Sequence, residues 1–424
     1  MLSRPRRATL SVAGSVTVAP ARTPTADELA EQLIAPTIRG IRRIPAVGRV
    51  ALIYAGSRVI SVGFFLAVYA IAPVLHLRYA SHLATRPSFF SLLSAWDGKY
   101  YEQIAVHSYP TQLPVDAAGH VVSNAWAFLP IYPWLTRGVM LTTGLDFSAS
   151  GVIVSLIAGA LAAILLYRLL VDRIGEHRAL WSVTFFCAGP MAFVFELTYA
   201  ESLSLALLFA ALLAITQRHY LLSIPFGVAA AFTRPGELAL AATIAILFII
   251  ALVRRETVAP GERIRMIIAG VSLALAGFAW PLIANAVTGH KSAYFDTELS
   301  WWTGWVGRVH FFPFAPWFDL FDRYLGIAGF LIVVSIIAAF VVWLTRRQMR
   351  ALGDGILAFV ASYGAYLSAV FLPQQSIARL IMPMSPLLGT PAFTQSPRAR
   401  RIILAALIIS QPFAIIVLWM LYPP

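Results

Sequence analysis

The sequence predicts an all-α polytopic membrane protein with about eleven transmembrane helices, on three observations. Hydrophobic residues make up 59% of the 424 positions and charged residues only 12%, against roughly half and a quarter in soluble domains. The mean hydropathy is +0.77. Apolar runs recur from residue 50 to the C-terminus, and Arg residues cluster in the short connections between them, as topology determinants do. The same distribution removes nucleic acid as a partner, because the net charge of +13 is divided among separate interhelical clusters.

Residues 1–45 carry Arg4, Arg6, Arg7, Arg22, Arg39, Arg42 and Arg43 among Pro, Thr and Ala. They read as a disordered basic cytoplasmic arm with a short helix at 26–33, ahead of a single polytopic domain at 46–424. The first apolar run, 50–75, exceeds the roughly 7–15 residues of a signal-peptide core and reads as an uncleaved span. Its basic flank puts the N-terminus in the cytoplasm. A large first outer loop follows at 76–146. Within it, Pro130 and Pro133 argue against a continuous span, so 128–145 is expected as an amphipathic or re-entrant interfacial piece.

Further runs lie at 147–170, 179–197, 200–216, 220–233, 237–253, 266–287, 325–345, 354–372, 379–395 and 402–421. With the first they set the loops 76–146 and 288–324 outside. They leave Arg173, Arg178, Arg218, Arg254, Arg255, Arg263, Arg265, Arg346, Arg347, Arg350, Arg398, Arg400 and Arg401 inside. The run 220–233 is short, about 20 Å of helix against a core of roughly 30 Å. Either it is tilted, or Arg234 lies below the outer surface in a cavity. Lys99 and Lys291 are the sole lysines, a bias compatible with a GC-rich bacterial genome and a plasma-membrane location. The single cysteine, Cys187, excludes an intramolecular disulfide.

The stretch Trp96-Asp97-Gly98-Lys99-Tyr100-Tyr101-Glu102-Gln103-Ile104-Ala105 puts two acids, a lysine and three aromatics into the first outer loop. As a helix after Gly98 it would place Asp97 and Tyr101 on one face and Trp96, Tyr100 and Ile104 on the next. An interfacial helix with its aromatics at headgroup level fits the same residues. Three further features are ionisable groups in or beside apolar runs: Glu196 and Glu201, Arg234 ahead of Glu237, and Arg379 with no acid near it in sequence. Such groups face cavities or partners, though Glu201 also suits a helix's first turn and Arg234 a loop tip beside Glu237. An unpaired outer Arg379 would invite an anionic ligand. No H-E-x-x-H, C-x-x-C, G-x-x-x-x-G-K-[ST] or D-x-D occurs. The eight His residues are scattered, and a divalent metal requirement stays open.

These residues resemble the PIG-V family of multi-pass mannosyltransferases, of the GPI mannosyltransferase II type, within the GT-C superfamily. The likeness runs through Trp96–Ala105 followed by Tyr109, Phe128-Leu129-Pro130-Ile131-Tyr132-Pro133, Tyr199-Ala200-Glu201-Ser202-Leu203, Thr233-Arg234-Pro235, and Ser376-Ile377-Ala378-Arg379 running towards Pro383 and Pro386. Ala95, Ala200 and Leu380 stand where that family commonly has Arg, Thr and an aromatic. The resemblance implies a GT-C fold and inverting transfer of one sugar, mannose or a similar hexose, on the outer face. The donor would be a polyprenyl-phosphate sugar and the acceptor a lipid or glycolipid.

The residues suit that reaction. Asp97 is the expected base for the acceptor hydroxyl. Arg379, Arg234 and Lys99, in falling order, are the expected partners of the donor phosphate. Trp96, Tyr100, Tyr101, Tyr199, Glu201, Trp301 and Trp302 are the remaining substrate-binding candidates, with Trp305 beside the last two; the tryptophans equally suit an interfacial belt. A lipid or lipid-linked-sugar transporter is the alternative, since polar residues in spans also mark translocation paths. Against it, no internal duplication is visible.

Overall fold

Small residues recur at every fourth position of one long apolar segment, Gly151, Ser155, Gly159 and Ala163, and all four are buried. Such a stripe lets helices approach closely where lipid offers no hydrophobic drive. A computed structural model describes residues 44–74 and 87–421 and shows what the stripe meets. A Cβ on Gly151 would lie 2.0 Å from the Thr198 methyl, and one on Gly159 2.4 Å from the Tyr54 hydroxyl. The segment preceding Tyr199 is therefore seated directly on this helix.

In chain order the longer helices are α1 (Ala46–Ile71), α2 (Gly98–His107), α3 (Ile131–Thr143), α4 (Phe147–Ile174), α5 (Glu176–Ala188), α6 (Glu201–Thr216) and α7 (Tyr220–Ala231). They continue with α8 (Leu238–Val253), α9 (Pro260–Thr288), α10 (Ala293–Ser300), α11 (Ala315–Leu325), α12 (Ile327–Thr345), α13 (Asp354–Val370) and α14 (Pro397–Ile415). No strand occurs among the described residues beyond a single bridge between Val115 and Val121. The helix α4 packs on α6, α6 on α7, α7 on α9, and α8 on α9 and α13. The chain divides into two units, Met1–Arg49 and Val50–Pro424. Of the first, only 44–49 are described, so the expected basic arm and its helix at 26–33 lie outside the described residues. So do residue 75, at the end of the first apolar run, and residues 76–86 of the first loop.

Among the described residues, five helical segments are long and apolar enough to cross a membrane: Ala46–Ile71, Phe147–Ile174, Pro260–Thr288, Ile327–Thr345 and Pro397–Leu421. Shorter apolar helices stand at four more of the expected spans, Glu201–Thr216, Tyr220–Ala231, Leu238–Val253 and Asp354–Val370. The chain is thus an integral membrane protein. Two expected spans are not single helices. The run at 179–197 ends as α5 at Ala188, and a short 3₁₀ turn at Ala192–Glu196 follows the Gly189-Pro190 break. The run at 379–395 is divided among Ile377–Leu380, a 3₁₀ segment Met382–Gly389 and Pro391–Thr394. Pro383, Pro386 and Pro391 remove the donors a continuous helix needs there. Pro130 and Pro133 are accommodated at the start of α3, preceded by a 3₁₀ turn at Ala125–Ala127.

The Arg-bearing connections gather together. Arg254 bonds Asp354 at 2.5 Å, Arg218 meets Glu262 at 3.3 Å, Arg173 lies against Gly353, and Arg400 touches His177. The two long loops are tied to each other elsewhere. Arg308 bonds Asp116 at 2.7 Å, and the Asn124 amide donates to Thr297 Oγ1 at 2.9 Å. Glu196 finds its partner in Arg58, which sits inside the first apolar run, at 2.7 Å with both side chains buried.

Candidate active site

The motif after Ala95 is locally strained and locally anchored. Trp96 takes φ +60°, a left-handed conformation that costs a bulky residue on the order of 1–3 kcal/mol and persists where its surroundings hold it. They do so here. The Trp96 indole donates to the Trp419 carbonyl at 3.0 Å, and the Asp97 amide donates to the Tyr199 hydroxyl at 3.0 Å. That hydroxyl in turn donates to the Ala95 carbonyl at 3.1 Å. Tyr199 thereby fixes the backbone on both sides of Trp96 while lying fully buried beneath it.

Asp97 is the N-terminal flanking residue of α2, yet its side chain makes no cap hydrogen bond. Instead Asp97 Oδ2 accepts from Arg379 Nη2 at 2.7 Å. The other arm of the same guanidinium donates to Glu201 Oε1 at 2.7 Å, and Arg234 Nη1 donates to that same oxygen at 2.7 Å. The expectation of an unpaired Arg379 is therefore corrected: two acids flank it, 282 and 178 residues away in the chain. Arg234 likewise pairs with Glu201, and no ion pair joins it to Glu237 among the described residues. Two acids and two guanidiniums balance in charge, with side-chain exposures of 4–15%. Arg379 also stacks over the Tyr199 ring at 5.3 Å.

This quartet edges a cavity of about 330 Å³. Of the candidate residues, Trp96, Asp97, Lys99, Tyr100, Tyr101, Arg234, Arg379, Trp301 and Trp302 line it, while Tyr199 and Glu201 support it from below. Tyr100 stacks on Phe128 at 4.8 Å and makes a T-shaped contact with Trp301 at 5.5 Å, contacts worth about 0.5–1.5 kcal/mol each beyond burial. Burial, with the Asp97 charge behind it, pushes the Tyr100 hydroxyl up to about 12, so it stays a neutral donor. Lys99 lies over the Tyr100 ring at 4.7 Å and has no carboxylate partner among the described residues. Glu102 is exposed on another face of α2, away from the cavity.

The sequence reading missed Glu298, which lines the same cavity. A signal was available: Glu298, Trp301, Trp302 and Trp305 follow the i, i+3, i+4, i+7 spacing of one helical face, and all four line the cavity. Among the described residues no three His, Cys, Asp or Glu side chains converge as a metal site would require.

The fold resembles that of ArnT from Cupriavidus metallidurans, solved bound to undecaprenyl phosphate, with a TM-score of 0.50 and 14% identity over 86% of this chain. The chain spans 64% of the length of that ArnT. An oligosaccharyltransferase from Archaeoglobus fulgidus, solved in complex with zinc and sulfate, matches at a TM-score of 0.41 and 13% identity, over 86% of this chain and 52% of its own. No protein-family model and no curated protein matches the sequence. The likeness to ArnT is one of fold, and it places this all-helical membrane protein in the GT-C fold class.

Proposed function

We propose that the protein is an inverting glycosyltransferase that moves mannose, or a similar neutral hexose, from a polyprenyl-phosphate donor to a lipid or glycolipid acceptor on the extracytoplasmic face. The observation that carries this is the Asp97–Arg379–Glu201–Arg234 quartet at the edge of an aromatic-lined cavity. The likeness in fold to an ArnT solved with undecaprenyl phosphate and the PIG-V-like motifs point the same way.

In this reading the acceptor oxygen attacks the anomeric carbon while the bond from that carbon to the phosphate oxygen breaks. Asp97 takes the hydroxyl proton. Arg379, locked between two carboxylates, orients Asp97 and lies next to the departing phosphate. Arg234 and the carboxylate-free Lys99 supply the charge that the leaving group's second negative charge requires. Tyr100, Trp96 and Trp301 give flat faces to the sugar and the first prenyl units.

The test is incubation of the purified full chain with radiolabelled polyprenyl-phosphate mannose and total membrane lipids, then separation of the products. Label moving into a new lipid supports the reading. Label left on the donor, or the donor merely moved across a vesicle bilayer, contradicts it and favours a transporter.

A further inference from the structure

Three acids reach the cavity or its floor, and they are not equivalent. Asp97 and Glu201 are each held by guanidinium groups at 2.7 Å. Glu298 has no salt bridge among the described residues. It stands on α10, which is pinned to the first loop by the Asn124–Thr297 and Ser123–Ser300 hydrogen bonds, so its position is set from outside the cavity. The groups that face it are Tyr294 one turn earlier, Tyr366 from α13, Arg234 from the 233–235 turn and Asp97. Burial is the main influence on the carboxyl and raises it to about 7, against the opposing effects of Tyr294 and Arg234.

An uncompensated acid beside a site for an anionic lipid phosphate works against binding unless it recognises something. A carboxyl offers about four acceptor positions, and Tyr294 occupies at most one or two of them. Trp301 follows three residues on, its ring nearly perpendicular to that of Tyr100, and it lines the same cavity. A flat aromatic face beside a carboxyl free of guanidinium contacts matches a sugar ring, with C–H faces for the indole and hydroxyls for the oxygens. Packing alone would be served equally by glutamine.

Resting on the sugar-transfer reading above, we infer that Glu298 is a specificity-determining residue that accepts hydrogen bonds from ring hydroxyls of the donor sugar, with Trp301 against the ring. The site therefore takes a neutral hexose and disfavours a uronic acid, whose carboxylate would face Glu298.

The experiment compares the wild-type chain with Glu298→Gln and Glu298→Asp. The donors are polyprenyl-phosphate mannose, the same donor deoxygenated at one hydroxyl at a time, and polyprenyl-phosphate glucuronate. The wild type should lose about 10- to 100-fold in kcat/KM on one or two of the deoxy donors. Glu298→Gln should lose a similar factor on the full donor and become indifferent to those same deletions. Glu298→Asp should recover part of the loss. Equal losses in wild type and variant on every deoxy donor, or full activity of Glu298→Gln, would overturn the role. Should the variants fail to fold, the wild type alone decides: equal use of mannose and glucuronate donors overturns the inference, and a preference of at least about 10-fold for mannose supports it. Absence of transfer from any donor removes the sugar-transfer reading itself, whereas transfer without this coupling removes only Glu298.

Discussion

Arg379 shows at the residue scale how the site is held. Its planar fork meets Asp97 with one nitrogen and Glu201 with the other, a geometry an ammonium cannot reproduce. Arg379→Lys is expected to fold and to lose at least about 30-fold in transfer, because one charge can no longer orient Asp97 and satisfy Glu201 together. Arg379→Ala leaves Glu201 with Arg234 alone in a buried setting. That should cost about 3–5 kcal/mol of stability, measured by unfolding in detergent. An Arg379→Lys protein as active as its parent would show that the fork is dispensable. The sequence displayed each member of the quartet but not its pairing, since contacts across 178 and 282 residues leave no local periodicity. Glu298 was legible in its spacing to the tryptophans, yet the apolar residues drew the reading to an interfacial belt.

At the element scale, proline and glycine decide where helices stop. Hydropathy alone drew 179–197 and 379–395 as spans, and the Gly189-Pro190 pair and three prolines divide them. The second division places Arg379 on a four-residue helix, Ile377–Leu380, directly at the cavity. The two long loops are joined by Asp116, whose carboxylate accepts from the His120 and Ala118 amides and from Arg308. These bonds, the His120 amide foremost, hold its pKa down to about 2. A depressed folded-state pKa gives a contribution that is present above the ordinary carboxylate range and is lost as pH falls towards 2. Protection of the 115–121 amides, taken as exchange relative to the intrinsic rate at each pH, should thus hold from pH 7 to about 4 and fall only near pH 2. Arg308→Ala should lower that protection between pH 7 and about 4 and add little near pH 2, where the carboxylate is protonated. Unchanged exchange in Arg308→Ala would show that the loops are held elsewhere.

For the whole molecule, the sequence was most informative where a pattern repeats. Nine of the expected spans coincide with apolar helices, and the Arg-rich connections come together through Arg254–Asp354, Arg218–Glu262 and Arg400–His177. The proposed orientation puts that gathering in the cytoplasm and the cavity outside. On a Cys187→Ser background, an impermeant thiol reagent applied to intact cells should label Lys99→Cys and Thr303→Cys but not Arg255→Cys or Arg347→Cys. The reverse pattern would invert the topology and place the cavity in the cytoplasm.

In the proposed reaction Asp97 is the base, and one substitution isolates that role. Asp97→Asn keeps the size of the side chain and an oxygen for Arg379, but removes the basic lone pair. A residue serving only as a helix cap would tolerate it, since Asn and Asp cap about equally well, and Asp97 makes no cap bond in any case. The measurement is sugar transfer by Asp97→Asn alongside binding of polyprenyl-phosphate mannose, with exposed Glu102→Gln as the control. The prediction is retained donor binding, transfer reduced about 100- to 10,000-fold, and a control close to wild type. Near wild-type transfer by Asp97→Asn would contradict the assignment of the base.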